Sequence, residues 1–256
     1  MKRTSKELKR IARDILNNRY TIPMGAFVTA GLIPAVIEIP FSMFTGDNPT
    51  TKQLIITGLA EFLIMLIGQV LTIGVYQVHL NMTRSKEFRL SQIFDPFRSS
   101  AERHFGASFL YFIFSILACV PGILGTVYFY FTDITATSIG ILCVGLVLSM
   151  ILAIIITLNY QMIFFLLLDH PLMKVRDAFK ESRLMMRGNK MRLFYIMLSF
   201  IGWDLLNLCS LGIASLWITP YQTETLIVFY LDCKAELDQL PVRDYSKETS
   251  FSGLFF

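Results

Sequence analysis

The sequence predicts an all-α fold: a polytopic transmembrane helical bundle of about six spans, with cytosolic amphipathic helices. Three observations predict it. Of 256 residues, 54% are hydrophobic and only 16% are charged, against roughly 25% charged in a soluble domain. The mean hydropathy is +0.56. A soluble core of this size could not hide so much apolar surface, so the bilayer must be the solvent for much of it. Finally, basic polar segments alternate with apolar runs close to the ~20 residues that a span needs.

We take residues 1–232 as one membrane domain and 233–256 as a mixed-charge cytosolic tail, loosely ordered beyond its first turns. Residues 4–18 form the first element. Thr4 with Glu7 makes a capping box, and Leu8, Ile11, Ala12, Ile15 and Leu16 share one helical face. Lys6, Lys9, Arg10 and Arg13 take the other face. Such a helix suits an anionic leaflet; it equally suits packing on the protein's own cytosolic side. No cleavable signal peptide is expected, because this charged segment is not followed directly by a short apolar core.

The spans are expected near 21–44, 54–80, 105–131, 138–168, 190–209 and 211–231. Pro34 and Pro40 should kink the first and Pro121-Gly122 the third; a bundle tolerates this when neighbours satisfy the freed backbone groups. TGDNPTT, 45–51, is a turn by composition. Between the second and third spans, Ser91 should cap a short helix whose apolar side holds Ile93, Phe94 and Phe97. Residues 172–187 form another amphipathic helix, with Asp169 as its cap, Pro171 in its first turn and Gly188-Asn189 as its stop. Its apolar face carries Val175, Ala178, Phe179, Ser182, Met185 and Met186. Val175, Phe179, Arg183 and Met186 are the candidate surface for lipid or a partner.

Charge decides the threading. With the N-terminus inside and six spans, every Lys and Arg except Lys52 falls on the cytosolic side, as the positive-inside rule requires. If 190–220 were one long span there would be five, with the tail outside; six fits the charge better. An approximate repeat follows, in which a cytosolic amphipathic segment three times precedes a two-span hairpin, with similar entries at Arg103-His104-Phe105 and Arg192-Leu193-Phe194.

Carboxylates inside spans are the sharpest functional candidates: Glu61, Asp204 and Glu224, with Glu38 nearer an outer end. A charge near the bilayer centre is costly, so each should face the bundle interior or an interface. Two readings stay open: a cation, proton or polar-substrate path, or structural hydrogen bonding between helices. No catalytic residue, cofactor site or metal site is predicted. Phosphate-loop, H-E-x-x-H and G-x-S-x-G patterns are absent, and His79, His104 and His170 sit at separate membrane boundaries. The four Cys read as small packing or lipid-facing residues. The basic segments are explained by topology, so no nucleic-acid partner is expected.

Particular motifs carry a family resemblance. Asn159-Tyr160-Gln161-Met162, Leu168-Asp169-His170-Pro171, Ala178-Phe179-Lys180-Glu181-Ser182, Met186-Arg187-Gly188-Asn189-Lys190 and Thr219-Pro220-Tyr221 are among them. Phe94-Asp95-Pro96-Phe97-Arg98 and Pro121-Gly122-Ile123 add earlier signals. The chain resembles an uncharacterised bacterial integral-membrane family, the domain of unknown function numbered nine-seven-five. The resemblance implies a multi-span membrane protein and carries over no catalytic residue. Between Pro121-Gly122 and Asn159 this chain runs longer than the family pattern.

The expected function is a non-enzymatic membrane scaffold or partner-binding protein of the cell envelope, in the cytoplasmic membrane with both termini cytosolic. Its partners would be the anionic inner leaflet and a membrane protein or a second copy of itself. The alternative is a small-solute or ion transporter or channel using Glu61, Asp204 and Glu224.

Overall fold

The computed structural model describes residues 3–45, 49–99 and 101–235, and these are helical with no strand among them. The 236–256 tail and the tip of the first turn, 46–48, lie outside the described residues. By contacts the chain divides into two compact units, Met1–Ala101 with Met191–Phe256, and Glu102–Lys190.

The first unit begins with α1, Ser5–Leu16. The capping box forms as the spacing predicts: the Glu7 N–H donates to the Thr4 hydroxyl and the Thr4 N–H to the Glu7 carboxylate. Leu8, Ala12 and Leu16 are fully buried, and α1 packs on α11, Ser215–Cys233. Its apolar face is therefore covered by the protein's own chain. Helices α2, Thr21–Thr45, and α3, Thr51–Thr83, form a hairpin, and α2 contains Pro34 and Pro40. Their core gathers Ala26, Ala30, Leu71, Val75 and Val78 around Ile93.

Ile93 sits in a 3-10 turn, Leu90–Phe94, followed by the single-turn helix α4, Asp95–Arg98. Ser91 falls inside that turn and is exposed, so it is not the cap. Gln92 takes the role instead: its amide oxygen accepts from the Arg89 N–H and from the Asn81 amide. The side chain three residues in reaches back where the sequence suggested a hydroxyl reaching forward. Helices α9, Lys190–Leu198, and α10, Ile201–Cys209, precede α11 in this unit.

In the second unit, α5, Ala101–Phe131, is followed by α6, Ala136–Tyr160. Their backbones approach closely: a Cβ on Gly145 would lie 2.5 Å from the Pro121 carbonyl oxygen. Near Pro121, the Gly122 N–H donates to the Ser149 hydroxyl of α6 at 2.8 Å, the cross-helix satisfaction that a proline within a span requires. A break at Gln161-Met162 divides the expected fourth span into α6 and α7, Ile163–Asp169.

Helix α8 spans Val175–Met185 and starts later than the sequence suggested. Asp169 ends α7 rather than capping α8, and Pro171 lies in the turn between them. The reason is local: a residue before proline is driven away from the helical region, and His170 has φ −122° and ψ 84°. Lys174, with extended backbone, precedes the first turn without a side-chain cap. The stop is as expected, with Gly188 at φ +76°.

Five runs are long and apolar enough to cross a membrane: Thr21–Phe41, Thr51–Thr83, Ala101–Phe131, Ala136–Asp169 and Lys190–Cys209. Only 6% of the most apolar stretch of Ala136–Asp169 is buried, so its surface needs an apolar solvent. The sixth expected run corresponds to α11. It is 19 residues long but carries Gln222, Thr223, Glu224 and Thr225 and is largely buried within its own unit.

Candidate functional site

Two regions of the described chain concentrate chemistry. In the first unit, His79 and Thr83 stand one turn apart on α3 and meet Glu224 of α11. The His79 Nδ1 lies 2.8 Å from Glu224 Oε2, and the Thr83 hydroxyl contacts Glu224 Oε1 and the His79 carbonyl oxygen. His79 and Glu224 are fully buried. A carboxylate removed from water must be met by hydrogen-bonding partners, and here both its oxygens are. His79 Nε2 is buried without a hydrogen-bonding partner among the described residues.

The other intramembrane acids sit in separate surroundings. Asp204, exposed on α10, accepts from the Gln222 amide at 2.7 Å, and the two line a groove with Ile196, Phe200 and Leu226. Glu61 is exposed on α3 among exposed Leu59 and Leu63. Glu38 is exposed on α2. No hydrogen bond joins any two of these carboxylates among the described residues. Sequence reasoning named Glu224 and noted His79, but it had no signal that would pair them.

A second polar set in this unit was missed as a set. Asp232, near the end of α11, receives Arg192 of α9 and Arg3 from the N-terminal segment, and Arg192 also donates to the Arg3 carbonyl. This ties the chain's start, α9 and α11 together. On α1, burial pushes the Lys9 ammonium below its usual pKa, with neighbouring Arg13 adding to the shift. Its head sits 4.0 Å from the Phe200 ring centroid and donates to the Ser199 carbonyl.

In the second unit the motif carrying the family resemblance is used to seat α8. The buried Ser182 hydroxyl donates to the Asn159 carbonyl oxygen at 2.8 Å, and Asn189 donates back to Met185. Arg103, at the start of α5, donates to the carbonyls of His170 and Met173 and so fixes the loop leading into α8. Of the four residues proposed as a partner surface, Phe179 and Met186 are buried and Val175 is half-buried; only Arg183 is exposed. The apolar face of α8 rests on α6 and α7.

What α8 leaves open is a different face. Arg176, Lys180, Arg183 and Arg187 line the rim of a groove of about 420 Å³. Its wall is Leu110 and Phe114 of α5 and Tyr160 of α6. The Phe114 and Tyr160 rings stack at 5.4 Å and 9° between planes. Arg183 donates to the Tyr160 hydroxyl at 2.9 Å. No acidic residue lines this groove among the described residues. A row of cations above an aromatic and aliphatic wall can hold an anionic group at one end and apolar matter at the other.

The helices and their polar clusters define a multi-pass, all-helical membrane protein. More particularly, the family described as a protein of unknown function (DUF975) matches residues 1–236, and the chain belongs to that family. No curated protein and no solved structure matches the chain.

Proposed function

We propose that this protein is a non-enzymatic membrane scaffold or partner-binding protein of the bacterial cytoplasmic membrane, with its N-terminus and the end of its chain in the cytosol. The observation carrying this reading is the separate state of the intramembrane acids. Glu224 is taken up in contacts between α3 and α11, Asp204 is held by Gln222 in a separate groove, and Glu61 stands on an exposed apolar surface. A solute path needs polar groups in sequence along one cavity, and the separate surroundings of these three among the described residues support the scaffold reading instead. Exposed basic side chains, by contrast, gather along α8. The positive-inside pattern supports a cytosolic position for them.

One observation favours the second reading, a small ion or solute transporter: a fully buried His–Glu pair is costly to keep and is the kind of group that relays protons. Flux measured in proteoliposomes of the full chain separates the two. The scaffold reading expects no proton, sodium or potassium flux above protein-free liposomes. Flux that Glu224→Gln abolishes would establish the transporter instead. For topology, a reporter fused after Phe256 should read cytosolic, and an external reading would sink the six-span threading.

A further inference from the structure

We propose that the groove beside α8 is a binding site for an anionic phospholipid. Its phosphate would be held by Arg176, Lys180, Arg183 and Arg187, and its upper acyl chain would lie on Leu110 and Phe114. This deepens the scaffold reading by naming what its basic surface binds, and rests on that reading's cytosolic placement of α8.

The cations are arranged as a recognition stripe. At 3.6 residues per turn, positions 176, 180, 183 and 187 fall within roughly 60° of the helix circumference. The three on α8 and Arg187 just beyond its end all line the same groove. Asp177 and Glu181 lie roughly 60° and 100° beyond the edge of that stripe on the same scale and take no part in the lining. The acidic residues fall on the neighbouring face, and the charged groups that line the groove are all cations above an apolar wall.

The geometry also matches an amphiphile rather than a free anion. Arg183 is already oriented by the Tyr160 hydroxyl, and its guanidinium carbon lies 5.9 Å from the Tyr160 ring centroid. A planar fork set in this way presents its remaining N–H groups to phosphate oxygens. Below it the groove offers Phe114 and Leu110 rather than further donors, and Leu184 opens its side at 49% exposure. Inorganic phosphate would leave that wall wet, whereas a lipid covers it. Phe114 lies 13 residues into α5, or about 20 Å along it at ~1.5 Å per residue. The wall thus continues along a helix long and apolar enough to span.

The test is native mass spectrometry of the full-length protein in detergent, titrated with short-chain phosphatidylglycerol, short-chain phosphatidylcholine or inorganic phosphate. Cations at a surface each add measurable attraction for an anionic headgroup, so the wild type should prefer phosphatidylglycerol by about tenfold or more. Millimolar inorganic phosphate should not displace the lipid. The triple variant Arg176→Gln, Lys180→Gln, Arg187→Gln keeps Arg183 on Tyr160 and should lose the preference. Neutralising exposed Lys86 and Arg98 in the other unit should leave it intact. Leu184→Trp, which fills the groove without altering charge, should also weaken lipid binding. Equal binding of the two lipids by the wild type would overturn the proposal whatever the variants do, as would displacement by inorganic phosphate. Loss of the lipid preference with no ion flux would remove the site and leave the scaffold reading standing. Ion flux with the preference retained would do the reverse.

Discussion

His79 Nδ1 and Glu224 Oε2 lie 2.8 Å apart with both side chains fully buried, joining α3 to α11 across 145 residues of sequence. Thr83, one turn from His79, takes the other carboxylate oxygen. Two helices that carry polar groups into an apolar interior are held in one register by them, since any slip would strand a carboxylate without partners.

Breaking that pair should therefore be costly. His79→Ala leaves Glu224 with Thr83 alone, and a buried polar group that loses its partner typically costs about 1–3 kcal/mol. Glu224→Gln keeps hydrogen-bonding capacity toward both partners and should cost less than His79→Ala, about 1 kcal/mol. Unfolding midpoints in a mixed-micelle denaturant series check the order. Equal stability of His79→Ala and the wild type would show that the pair does not hold these helices.

The close approach of α3 to the 3-10 turn gives a second expectation. A Cβ on Gly74 would sit 2.0 Å from the Ile93 carbonyl oxygen, which is backbone and cannot rotate away. Gly74→Ala should destabilise by at least about 1–3 kcal/mol, the usual cost of forcing atoms into a packed site. Gly58→Ala, where nothing lies within 4 Å, serves as the control in the same helix. A thermal melt in detergent distinguishes them, and identical melts would contradict the packing.

The N-terminal cap should respond to acid. Hydrogen bonds from the Thr4 backbone and side chain hold the Glu7 carboxyl below its usual 4.5. A group whose folded pKa is depressed stabilises above its unfolded value and loses that contribution as pH falls through the folded one. Protection factors of the amides at the start of α1, taken relative to their intrinsic exchange at each pH, should fall as pH drops below the ordinary carboxylate range. Glu7→Gln should weaken that response. An unchanged response in Glu7→Gln would show that the cap does not govern it.

The local devices were legible in the sequence. Thr4 and Glu7 are three residues apart, and a capping box needs nothing else; Gly188 stops α8 because a positive φ costs glycine nothing. Apolar length announced the membrane runs. What could not be read was partnership across the chain. Ser149 answers the backbone near Pro121 from 27 residues away, and Glu224 finds His79 from 145 away, with no spacing rule behind either. Helix α8 shows a third limit. Its apolar periodicity was correct, but periodicity cannot say whether own chain or a partner covers that face. Arg176, Lys180 and Arg187 were counted for topology, and only the folded groove reveals them as one rim with Arg183.

On this reading the basic side of α8 meets the headgroups of the inner leaflet. The decisive measurement places a leucine-sized, diazirine-bearing amino acid at Leu184 of the full-length protein, which leaves the groove open, activates it in intact cells and identifies the adduct by mass. The expected product is a covalent adduct with an anionic phospholipid, much reduced when Arg176, Lys180 and Arg187 are changed to Gln. Adducts with protein alone, or a lipid adduct indifferent to those three cations, would contradict it.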